Sequence, residues 1–84
     1  MVNWLYKIKL GDLKRRYNKG KLSVGALGKE VAKRIRKSRA YKEVPSLKRI
    51  ALRFEKVKTE SSFNNVMESF YDIGDANSIW IEFF

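Results

Sequence analysis

Lys29, Lys33, Arg36 and Lys37 stand four, three and four residues apart, the spacing at which side chains share one face of a helix. Their chemistry is electrostatic. Lys presents a compact ammonium, and Arg a planar fork of donors that matches phosphate. Arg39 extends the patch beyond the helix, and Lys42 follows it. Lys14, Arg15 and Arg16 form a second basic group, with Lys19 and Lys21 in the turn after it. Lys48, Arg49, Arg53 and Lys56 form a third. Like charges four apart on a helix cost ~0.2–0.5 kcal/mol per pair, and only Glu30, Glu43 and Glu55 lie near to offset them. A row that folding does not favour points to a polyanionic partner. The simpler alternative is a solvated face.

The whole chain has 84 residues, with 19 Lys and Arg against 9 Asp and Glu, a net charge of +10. That exceeds the ~2–8 that keeps a small domain soluble. The charge is also divided along the sequence. Residues 1–58 hold every basic residue and four acids, a net +15, whereas residues 59–84 hold five acids and no base, a net −5. A positive field of this size attracts polyanions and steers their approach.

Other chemistries find fewer residues. The chain has no Cys and no His, which removes disulfides, thiolate or imidazole metal ligands, and Cys–His or Ser–His nucleophiles. Asn18-Lys19-Gly20-Lys21-Leu22-Ser23 looks like the end of a phosphate-binding loop. However, Arg15 stands where that loop needs its first Gly, and Leu22 where Ser or Thr should follow the Lys. Asp72 and Asp75, the closest carboxylates in sequence, are expected to flank a helix C-cap in solvent. No catalytic residue, metal site or cofactor is read, so a binding protein is expected rather than an enzyme.

These side chains need helices to carry them, and a single small basic domain over residues 1–84 is expected. Ser23 precedes the apolar series Val24, Leu27, Val31 and Ile35, which predicts an N-capped helix over residues 24–38. Gly25 and Gly28 within it suggest a close helix crossing. Pro45 and Ser46 start a helix whose stripe is Leu47, Ile50, Ala51, Phe54 and Val57. Ser61 or Ser62 starts another, with Phe63, Val66, Met67, Phe70 and Ile73 on one face and Gly74 as its left-handed stop. Residues 10–18 place Leu10, Leu13 and Tyr17 at helical spacing, ending at Asn18-Lys19-Gly20.

The two ends read less simply. Val2 to Ile8 alternates as a strand would, and Ser78 to Phe84 is rich in β-branched and aromatic residues. Either the two segments pair as a short two-stranded ribbon on the helices, or the first opens the helix of residues 10–18 and the second docks as a strap. Trp80, Phe83 and Phe84 then fill the core or form an apolar patch. Tyr17, Tyr41 and Tyr71 are core edge or base-stacking platforms. The fold class is mainly α, a bundle of three to four helices with extended terminal segments. No apolar run is long enough to cross a bilayer, no signal peptide is read, and the lack of Cys suits a cytosolic protein.

Two stretches carry a resemblance: Leu13-Lys-Arg-Arg-Tyr-Asn-Lys-Gly-Lys-Leu-Ser23, and Phe63-Asn-Asn-Val-Met-Glu-Ser-Phe-Tyr-Asp-Ile-Gly-Asp-Ala-Asn-Ser-Ile-Trp-Ile81. In these the chain resembles a loose class of small helical proteins encoded by bacteriophages and mobile elements. Some members act as anti-CRISPR or other anti-defence inhibitors. The resemblance implies a non-catalytic protein in the cytoplasm of a bacterial host that docks on a host protein or nucleoprotein complex and inhibits it. It carries no catalytic residue across. A plain DNA- or RNA-binding protein and a homo-oligomer joining basic face to acidic end are the alternatives. The helix over residues 24–38 has no Asn or Gln to read base edges, so sequence-specific recognition is not expected.

Overall fold

The apolar stripes become helices in the computed structural model, which describes residues 4–83. The order is β1 (Tyr6–Lys9), α1 (Gly11–Asn18), α2 (Val24–Lys37), α3 (Ala40–Glu43), α4 (Ser46–Lys56), α5 (Glu60–Asn77) and β2 (Ile79–Glu82). The protein is therefore mainly helical. Val2, Asn3 and Phe84, assigned above to the terminal segments, lie outside the described residues.

Ser23 caps α2 as its sequence position predicts: its Oγ accepts a 3.1 Å hydrogen bond from the Ala26 amide. Leu27, Val31 and Ile35 are buried, and every residue of the α4 stripe from Leu47 to Val57 is buried with them. α2 and α4 pack against each other along the close crossing at Gly28. Phe54 then meets Phe63 and Phe70 of α5, with ring centroids 5.6 and 5.7 Å apart. This aromatic trio is the centre of the core. Leu10 and Leu13 close it from the α1 side, both with no exposed surface.

The terminal segments pair as the ribbon. β1 and β2 run parallel, with Tyr6 opposite Ile79 and Ile8 opposite Ile81. Ile8, Ile79 and Ile81 point inward and are buried. The Leu10 amide donates to the Glu82 carbonyl at 2.7 Å, so the pairing runs to the doorstep of α1.

Four local expectations are corrected. α5 starts before Ser61: Thr59 and Ser62 form a reciprocal capping box at its N-terminus. Gly74 does not end α5, which continues to Asn77; Ser78, at φ 58°, is the left-handed residue. Gly74 is buried because β2 crosses it, and a Cβ there would lie 2.9 Å from the Ile79 carbonyl oxygen. Asp72 and Asp75 consequently sit inside the helix rather than beside its cap. Finally, α3 is an additional one-turn helix between α2 and α4, bringing the described helices to five.

Candidate polyanion-binding face

α2 presents two charged flanks because its buried stripe occupies only one side of the cylinder. On the flank towards α1, Arg34 grips Asp12. Its Nη1 donates to Oδ1 at 3.0 Å and its Nη2 to Oδ2 at 2.6 Å. Nη1 also donates to the Lys9 carbonyl at 3.0 Å. One guanidinium thus ties α2 to the end of β1 and the start of α1. The hydrogen-bonded guanidinium holds the Asp12 carboxyl below its ordinary range and raises Arg34 in return.

The outward face carries the predicted patch. Lys29, Lys33 and Lys37 are exposed along it. Lys33, exposed, lies 3.6 Å from the half-buried Glu30 one turn away. Arg36 is turned towards α4, where its Nη1 donates to the Glu55 carboxylate; this contact lowers the Glu55 pKa and raises that of Arg36. Arg36 therefore joins two helices as well as adding charge. Lys29 and Lys37 have no ion-pair partner among the described residues.

Arg39 follows the helix and places its guanidinium 5.6 Å from the centre of the Tyr6 ring, on the first strand. The ridge thus ends against the sheet. Arg15 and Arg16 are exposed on α1, and Arg16 lies one turn beyond Asp12, on the side of α1 that meets α2. Lys14 does not join them. It lies over the Phe83 ring at 5.5 Å, in a crevice with Tyr17, Val24 and Glu60. The eight predicted residues therefore divide into a ridge on α2 ending at Arg39, a pair on α1, and a lysine used to cover an aromatic ring.

Arg34 was not among the predicted residues, because its partner Asp12 is far away in sequence. Its helical position, three residues after the buried Val31, was the only signal of a turn towards the interior. Trp4 and Leu5 were also missed as surface features: they are 39% and 66% exposed beside the sheet. Tyr17 and Tyr41 pack at the core edge, while Tyr71 is exposed.

Acid is segregated as the sequence suggests. Glu60, Glu68, Asp72 and Asp75 are exposed on α5, a helix without Lys or Arg. Among the described residues, no three Asp or Glu side chains converge as a metal site requires, and no helix is long and apolar enough to cross a membrane. No family model, curated protein or solved structure matches the chain.

Proposed function

We propose that this is a non-catalytic binding protein whose α2 ridge docks on nucleic acid, bare or held in a host nucleoprotein complex, and obstructs that complex. The observation that carries the reading is the imbalance of the ridge. The acids paired with it, Glu30 and Glu55, are engaged by Lys33 and Arg36, and Glu55 also attracts Lys29 at longer range, so four α2 cations share two carboxylates and Lys37 has no ion-pair partner among the described residues. Arg39 adds a further cation at the end of the same line. Phosphates supply the missing negative charge, and each contact releases counterions condensed on the nucleic acid. The small bacteriophage proteins that the sequence resembles suggest the setting, inhibition of a bacterial defence complex.

The test is a salt titration of binding to labelled DNA and RNA, for the parent and for Lys29→Glu/Lys37→Glu. Log K is expected to fall with log[salt] by ~0.7–0.9 per phosphate contact, and the double variant to bind more weakly with a slope shallower by about two contacts. Both side chains are exposed, so folding is expected to be unchanged. Equal binding by parent and variant in low and high salt reduces the ridge to a solvated face. A partner captured from bacterial lysate and retained after nuclease treatment identifies a protein target instead.

A further inference from the structure

The two tryptophans of the chain, near opposite ends of the sequence, meet on one side of the sheet. Trp4 and Trp80 pack with centroids 5.3 Å apart and planes inclined by 58°. With Leu5, Tyr6 and Lys7 they line an open cleft of about 440 Å³. A second depression of about 290 Å³ shares Leu5, Tyr6 and Lys7 and is bounded by Ser38, Arg39 and Ala40. The aromatic cleft therefore adjoins, across Leu5, Tyr6 and Lys7, a depression edged by Arg39 just past the end of α2.

The chemistry of this surface selects among partners. Exposed Trp and Leu offer flat apolar area that water solvates poorly. A second copy of the chain, or an apolar protein segment, would cover that area but would also bury Lys7, which stands opposite Trp80 in the strand register. Lysine is depleted from the cores of protein interfaces because its ammonium is costly to desolvate. Lys7 has one acidic partner among the described residues, Glu82 at 3.4 Å, in a partly exposed pair that a phosphate can replace. Asp75 of α5 borders the same two tryptophans on their other side, so the cationic side is that of Lys7 and Arg39. There, flat rings beside cations suit an unpaired nucleobase chain, in which each base has a π face and each link a phosphate.

We infer that the Trp4 cleft takes unpaired bases of a single-stranded nucleic acid whose phosphates run along the α2 ridge. The inference rests on the proposed function, in which that ridge binds nucleic acid. A duplex keeps its bases stacked inside and reaches only the ridge. The protein thus prefers single strands, with the stacking cleft at one end of the phosphate track.

Both tryptophans lie at the cleft, so intrinsic fluorescence reports its occupancy directly. The experiment titrates the full chain with a labelled oligothymidylate and with a labelled mixed-sequence duplex of equal length, reading label anisotropy and tryptophan emission together. The single strand is expected to bind about tenfold or more tightly than the duplex and to quench tryptophan emission, whereas the duplex binds without quenching. Trp4→Ala is expected to erase the preference and leave duplex affinity unchanged, and Trp4→Phe to retain most of it. Lys7→Ala, a surface change, is expected to weaken single-strand binding alone and guards against misfolding of the Trp4 variants. Single-strand binding without quenching, or with no preference over duplex, overturns the inference and leaves the ridge reading intact. Binding of neither at low salt overturns both. A shift in emission on concentrating the protein alone, with the mass of a dimer, assigns the cleft to a second copy and overturns the inference.

Discussion

Gly28 on α2 lies so close to the carbonyl of Phe54 on α4 that a Cβ at position 28 would overlap the carbonyl oxygen and the Val57 side chain. The two helices meet there backbone to backbone, which is why α2 tolerates a residue that costs about 1 kcal/mol in helix propensity relative to Ala. Gly28→Ala is expected to destabilise the protein by about 1–3 kcal/mol despite its better propensity, because backbone must move. Gly25 provides the control. A Cβ there meets only the Val57 carbonyl oxygen at 3.7 Å, an ordinary contact. Gly25→Ala is expected to be neutral or stabilising by up to about 1 kcal/mol, and urea unfolding of both variants measures the difference.

The Asp12–Arg34 clamp makes stability depend on acid. The Asp12 pKa is depressed below its ordinary 3.8, so its contribution is complete above that value and is lost as pH falls through the lower, folded-state value. Asp12→Asn is therefore expected to be less stable than the parent at neutral pH, by about 1 kcal/mol or less because the pair is partly exposed. The gap should close at the acid end of the range. Thermal melts of parent and variant from neutral pH downwards check this, and a constant gap would mean that Asp12 carries no linked proton.

Arg36 and Lys37 are neighbours with different duties. Arg36→Ala removes the link to Glu55 on α4 and is expected to lower both Tm and nucleic-acid affinity. Lys37→Ala removes only an exposed cation and is expected to lower affinity without moving Tm. Paired melting and binding measurements separate the two.

Gly74 is expected to act through the sheet. A Cβ there would press on the Ile79 carbonyl oxygen and the Ile81 side chain, both 2.9 Å away, and push β2 off α5. In Gly74→Ala the Leu10 amide, which donates to Glu82, should exchange its hydrogen faster, while amides at the α2–α4 crossing stay protected.

The stripes of α2, α4 and α5 were legible in the sequence because helical periodicity and burial are decided by the same few residues. Signals with two local meanings were not settled. Gly74 before Asp-Ala-Asn has the appearance of a helix stop, yet the glycine serves a strand that crosses it, a requirement set elsewhere in the chain. The same holds for strand pairing at the ends and for Arg34, whose partners Asp12 and Lys9 precede it by more than twenty residues. Within the candidate site, periodicity placed the α2 lysines on one flank, but only tertiary structure could turn Arg36 to Glu55, Arg39 to Tyr6 and Lys14 to Phe83.

Parallel pairing of β1 with β2 also sets a schedule for biosynthesis. Tyr6 is made long before Ile79, its register partner. α2 and α4 can meet while the chain is still being extended, but β1 has no strand to pair with until residue 82 has emerged from the ribosome. Until then Ile8 lacks its register partner Ile81, the Leu10 amide lacks the Glu82 carbonyl, and the nascent protein carries an open strand edge beside its exposed Trp4. Fused to a stalling sequence, the chain should complete its fold only when the linker is long enough to free that last strand.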